Sequence, residues 1–140
     1  PIIVSTHPRT RKKIKESKYS FSDQIRFLKP QNLSNYLKLQ LNAKTVLSDS
    51  GTINEESSIL NFPALNIREA HERPEAMDEG TVIMTGLNQQ NIIDSIKIVT
   101  APDRLPIKAA YDYSCDNVSE KVVRIIYSYV DYINRNTWRK

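Results

Sequence analysis

Short β-branched runs alternate with segments of helical period along most of this chain, and no other feature of the sequence restricts its fold as much. Ile2-Ile3-Val4-Ser5 reads as a first strand, because branched side chains pack well on a pleated surface. Residues 9–17, after Pro8, have the composition of an exposed helix,. Ile25-Arg26-Phe27-Leu28 is a second strand ended by Pro30, and Leu33, Tyr36, Leu37, Leu39, Gln40 and Leu41 then recur at helical spacing behind Asn32 or Ser34 as a cap,. Thr45-Val46-Leu47-Ser48, Ala64-Leu65-Asn66-Ile67 and Thr81-Val82-Ile83-Met84 are three further strands. The segments 53–60 and 90–99 supply helices among them. Five short strands with such connections imply right-handed crossovers and an α/β fold, a Rossmann-like parallel sheet with helices on both faces.

Residues 100–116 carry Pro102 and Pro106 and show no period, which predicts an irregular surface excursion,. Residues 118–132 close the chain as a helix, with Val118, Val122, Ile125, Ile126, Tyr129, Val130 and Ile133 in one stripe and Asn117 or Ser119 as its cap,. Tyr127, Tyr129 and Tyr132 cannot all face one core, so this helix is expected to pack on something outside the chain. The expected division is a nucleotide-binding domain over 1–116 and a C-terminal helix over 117–140. The chain begins with proline directly in an apolar run, as a piece of a longer protein would.

The 140 residues have a net charge of +4. Arg9, Arg11, Lys12, Lys13, Lys15 and Lys18 stand against Glu16 near the start, whereas the stretch from Asp49 to Glu79 is strongly acidic. Such a dipolar layout does not track phosphates along a strand, so the basic run reads as a solvated helix face and no nucleic-acid partner is expected. No apolar run approaches the roughly 20 residues of a membrane span, and no membrane partner is expected either. A lone Cys115 forms no internal disulfide framework, which fits a reducing cytoplasm,.

Ligands of open α/β sheets gather beyond the carboxyl ends of the strands. Ser48-Asp49-Ser50-Gly51-Thr52 leaves the third strand and enters a helix. Backbone N–H groups, hydroxyls and a positive helix end suit a diphosphate there, although plain N-capping accounts for the same residues. Glu55 and Glu56 follow within a turn, where a carboxylate can accept bonds from ribose hydroxyls,. The loop Arg68-Glu69-Ala70-His71-Glu72-Arg73-Pro74-Glu75 offers two guanidinium forks, equally consistent with phosphate binding and with surface salt bridges,.

The run from Ser48 to Glu56, followed by Pro63, Arg68, Glu72-Arg73-Pro74-Glu75 and Gly80-Thr81, resembles the C-terminal domain of non-hydrolysing UDP-N-acetylglucosamine 2-epimerases. The likeness covers residues 1 to 99. Residues 68–75 and Asn117-Val118-Ser119-Glu120-Lys121 look most like the branch that makes UDP-N-acetyl-L-fucosamine for capsule and O-antigen.

The resemblance implies one half of a two-domain GT-B-type architecture, with UDP and a UDP-N-acetyl sugar as ligands, an N-terminal domain as partner, a homodimer as one assembly open to the full-length enzyme, and no cofactor or metal. It implies an isomerase that eliminates UDP to a 2-acetamidoglycal and adds it back after reprotonation of C2. Its main acid and base groups are expected in the N-terminal domain. By the same resemblance Ser50, Gly51, Thr52 and Arg73 bind the diphosphate, Glu56 the ribose, and Gln31 and Tyr36 the uracil. Thr52 replaces the family's usual second glycine, and His71 a common threonine. His7 and His71 are placed at the substrate or a regulatory site. The alternative reading is the nucleotide-binding domain of a GT-B glycosyltransferase.

Overall fold

A computed structural model describes residues 1–70, 73–103 and 108–140. The chain divides into two compact units, Pro1–Lys44 and Thr45–Lys140.

In the first unit β1 (Ile2–Ser5) and β2 (Ile25–Leu28) pair in parallel, with Ile2 opposite Ile25 and Ser5 opposite Leu28. α1 (Pro8–Glu16) forms the crossover. Its start is built from the sequence: Pro8 presets the first helical φ, and His7 caps the helix by accepting the Arg9 N–H on Nδ1 at 3.3 Å,. No residue of α1 is buried, so the basic run is a solvated face as expected. Thr6, fully buried, ties the two strands by donating from Oγ1 to the Leu28 carbonyl at 2.8 Å, and it accepts from Arg11 Nη2 at 3.1 Å. α2 (Leu33–Leu41) starts at Asn32, whose Oδ1 accepts from the Asn35 N–H at 2.9 Å.

The second unit holds a three-stranded parallel sheet in the order β3 (Val46–Ser48), β4 (Ala64–Asn66), β5 (Val82–Met84). α3 (Ile53–Leu60) connects β3 to β4, and α5 (Gln89–Val99) follows β5. β4 is buried at every position because it has a strand on each side. Ile53, Phe62, Ala64 and Val82 form the core, with Val46 and Leu60 packed against them.

Between β4 and β5 the structure corrects the sequence reading. The stretch through Pro74 and Glu75 was expected as loop, but Pro74–Asp78 is a short helix, α4. Proline at its first turn costs no intrahelical bond, and five residues are too few to show a period,. Gly80 ends it in the left-handed region at φ +67, with Gly80 N–H on the Met77 carbonyl and Thr81 N–H on the Ala76 carbonyl, both 2.9 Å. That pairing is a Schellman motif. Gly80→Ala should therefore destabilise the chain by about 1 kcal/mol, since an L side chain resists this φ. Urea unfolding checks this: an unchanged midpoint would show that the turn relaxes freely.

The excursion after α5 contains a 3-10 turn, Tyr111–Tyr113, anchored to α3 by the buried Ala110 N–H donating to Ser58 Oγ at 2.8 Å. α6 (Val118–Ile133) buries none of its apolar stripe, which is exposed from Val118 to Val130 and half-buried at Ile133, and Tyr127 is 85% exposed. Asn117 stands at its N-cap position without a side-chain capping bond. No described helix is long and apolar enough to cross a membrane.

Candidate functional site

The turn between β3 and α3 is organised by its own hydroxyls. Ser48 Oγ accepts from the Ser50 N–H at 3.1 Å, and Ser50 Oγ accepts from the Thr52 N–H at 3.3 Å while lying 3.0 Å from Thr52 Oγ1. Such side-chain turns preset the backbone at a helix entry. Gly51 is not in the left-handed region, so its glycine is not demanded by φ. Thr52 has φ −66 and ψ −14, values any L residue adopts, and it makes no side-chain cap bond. The expected second glycine is thus dispensable for the turn's conformation. The Thr52 hydroxyl is used within the turn.

Just past this turn, Glu55 Oε1 meets Arg73 Nε at 2.5 Å, each side chain about a third exposed by its figures of 30% and 31%. The bond joins the first turn of α3 to the N-cap position of α4. Glu55 Oε2 is buried with no hydrogen-bond partner among the described residues. A carboxylate oxygen in that state costs free energy unless a donor reaches it.

A second acid, Glu75, follows two residues after Arg73 in α4. Tyr113 Oη donates to Glu75 Oε1 at 2.8 Å. The bond to its own backbone N–H, then the Tyr113 hydroxyl, and then the positive Arg73 hold the Glu75 carboxyl below the ordinary glutamate value. Any stability this carboxylate contributes is accordingly present above pH 4.5 and lost as the pH falls through its lowered pKa,. Burial, followed by the Glu75 bond, pushes the Tyr113 phenol well above its usual range. Its contribution is present below that range and lost only in strong alkali. Glu55 and Arg73 both act electrostatically on Tyr113, so the four groups form one cluster.

The residues singled out by sequence fall as follows. Ser50, Gly51 and Thr52 form the turn, with Glu56 in the first turn of α3, its N–H on the Thr52 carbonyl at 2.9 Å. Arg73 is drawn to the same helix start through Glu55. In the first unit, Gln31 is exposed, donates to the Lys29 carbonyl at 2.8 Å and lines a hollow of about 400 Å³ with Leu28, Asn35, Lys38, Leu39 and Asn42. Tyr36, half-buried on α2, is not among the residues lining that hollow. His7 is the cap of α1. His71 lies outside the described residues. Sequence reasoning missed Tyr113, which sits in an aperiodic stretch with no local signal, and it gave Arg73 no particular partner.

The sequence model of the UDP-N-acetylglucosamine 2-epimerase family matches residues 1–127. A curated UDP-N-acetylglucosamine 2-epimerase of Methanocaldococcus jannaschii is 33% identical over 129 residues, 89% of this chain and 34% of that protein. Among solved structures, that of UDP-N-acetylglucosamine 2-epimerase from Rickettsia bellii is 49% identical with a TM-score of 0.83, covering 99% of this chain and 39% of that one. The Methanocaldococcus jannaschii enzyme, solved in complex with UDP-GlcNAc and UDP, is 33% identical with a TM-score of 0.75 over 91% of this chain and 35% of that one. The chain spans 34% to 39% of the length of these relatives. The parallel α/β architecture read from the alternating pattern is theirs. A match over residues 1–127 and a relative of 49% identity leave one assignment: this chain belongs to the UDP-N-acetylglucosamine 2-epimerase family.

Proposed function

We propose that this chain is the UDP-binding part of a UDP-N-acetylhexosamine 2-epimerase that serves surface polysaccharide synthesis. The observation that carries the reading is the guanidinium of Arg73, bound to Glu55 at 2.5 Å and so brought to the start of α3 beside the hydroxyl-laced turn. Departure of UDP from C1 of the sugar places negative charge on a diphosphate. A planar guanidinium and a helix N-terminus both stabilise that charge as it develops. In this reading Ser50, Gly51, Thr52 and Arg73 take the diphosphate, Glu56 the ribose hydroxyls, and Gln31 and Tyr36 the uracil. A general base removes the C2 proton as the C1–O bond to UDP breaks. The resulting 2-acetamidoglycal is reprotonated on its other face before UDP returns. Those acid and base groups belong to an N-terminal domain, on which residues 117–140 pack through the exposed stripe of α6. His71 and the segment Asn117-Val118-Ser119-Glu120-Lys121 favour the 6-deoxy-L branch of sugars.

An NMR titration of the labelled chain tests the half-site. UDP should shift the amides of Ser50, Gly51, Thr52 and Arg73, and ADP should leave them in place. Equal shifts with both nucleotides would reduce the site to a plain anion nest, and no shift with either would withdraw the assignment of these residues. The chain alone should show no epimerisation of UDP-N-acetylglucosamine.

A further inference from the structure

We propose that the first unit carries an anion site of its own, a hollow beside α1 in which Arg11, Lys15 and Lys29 take the phosphate group of a small molecule. The hollow measures about 680 Å³ and is lined from two directions. Thr6 stands just after β1 and Lys29 just after β2, so it lies at the carboxyl ends of the parallel pair, where ligands of such sheets gather,. From α1 come Arg11 and Lys15, one turn apart on one face, with Lys12 and Glu16 beside them,. Glu16 pairs with Lys12 at 3.8 Å, and Arg11, Lys15 and Lys29 have no carboxylate partner among the described residues. Arg11 separates this hollow from an ordinary solvated helix face. It is half-buried, and its Nε and Nη2 both reach the single Thr6 oxygen, at 3.4 and 3.1 Å. That oxygen is 1% exposed and gives its own proton to the Leu28 carbonyl at 2.8 Å, so the guanidinium is braced by a neutral group that cannot offset its charge. A partly desolvated cation without a counter-ion costs free energy, and an oxyanion that meets its remaining N–H groups removes that cost. Lys15 and Lys29 are exposed point charges that can close on the same anion from the helix and from the strand end,. The volume falls in the range of small-molecule sites and exceeds what a bare phosphate fills, which favours a phosphomonoester over the free ion,. None of Ser50, Gly51, Thr52, Glu56 and Arg73 lines the hollow, so this site does not depend on the diphosphate reading given above.

The test titrates the labelled chain with glycerol 3-phosphate, inorganic phosphate and glycerol at constant ionic strength, following the Arg11 Nε–H and the Thr6 amide by NMR. Glycerol 3-phosphate should shift both signals saturably and glycerol should shift neither. Weaker saturation by inorganic phosphate assigns the site to a phosphomonoester, and equal or tighter saturation assigns it to free phosphate. Arg11→Gln should weaken the binding roughly ten-fold, the loss of one charge-assisted hydrogen-bonding group. Lys15→Gln and Lys29→Gln should each weaken it roughly three-fold, as exposed charges do. Lys13→Gln is the control: it makes the same charge change on α1 outside the hollow and should leave the affinity unchanged. Should Arg11→Gln fail to fold for want of its bond to Thr6, the two lysine variants carry the same readout. No saturable shift with either phosphate up to roughly 10 mM, weaker than any binding worth the name of a site, would overturn the proposal. So would a loss in Lys13→Gln equal to that in Lys15→Gln, which would reduce the effect to the diffuse positive field of the helix.

Discussion

Ile53→Ala should cost the chain about 3 kcal/mol, the usual range for a large aliphatic truncated in a core being roughly 2–5 kcal/mol. Ile53 is 0% exposed and packs with Phe62, Ala64 and Val82, which bring the start of α3 against β4 and β5. Removing three carbons there leaves a cavity walled by two strands that cannot close on it without giving up ladder hydrogen bonds. The control lies on the same helix. Ile59 is 59% exposed, and its truncation should stay within about 0.5 kcal/mol,. Urea unfolding of both variants is the measurement, and a fall in midpoint without a change of slope is the expected signature. Equal, small shifts would mean that the cluster around Ile53 is not the core of this unit. A second consequence concerns the site. Ile53 follows Thr52 directly, so its burial pins the hydroxyl-laced turn to the sheet, and UDP affinity should drop along with stability.

Much of this architecture was legible because its signals are local. Each β-branched run stands where a strand forms, and Asn32 and Pro8 mark helix starts by their own chemistry. Strand ends were read one residue long at Thr45, Ile67 and Thr81, where pairing stops although the side chains still suit a strand. α4 was not legible. Its first residues, Pro74 and Glu75, read as the end of a loop, and five residues closed by the Schellman turn at Gly80 are too short to show a period,. The site divides along the same line. The turn 48–52 announces itself by composition as a strand-to-helix junction, although plain N-capping uses the same residues. The partner of Arg73 does not. Surface salt bridges with neighbouring glutamates were one reading of this arginine, and the structure pairs its Nε with Glu55 on α3. Long-range pairing of that kind leaves no trace in periodicity. The Tyr113–Glu75 bond is hidden for the same reason, since it joins an aperiodic stretch to an unrecognised helix.

Arg73→Ala should weaken UDP by roughly 10- to 100-fold, the equivalent of one charge-assisted hydrogen-bonding group at about 1.5–3 kcal/mol, while uridine binding stays as it was. The loss has two sources that can be separated. The guanidinium disappears from the diphosphate, and the partly buried Glu55 carboxylate, relieved of its counter-ion, puts an uncompensated negative charge at the start of α3 where the ligand's own charge must come,. Glu55→Gln combined with Arg73→Ala removes the second source alone, so it should recover part of the affinity. Arg73→Lys discriminates further. An ammonium keeps the charge but not the planar fork, and it should recover the salt dependence of UDP binding more fully than its strength. Isothermal titration with UDP and uridine at two ionic strengths reads all three variants. If Arg73→Ala weakened uridine as much as UDP, the arginine would be supporting the fold around α3 and α4 rather than meeting the diphosphate. Partial recovery in the double variant would show the opposite: the Glu55–Arg73 pair is a charge balance that the nucleotide completes.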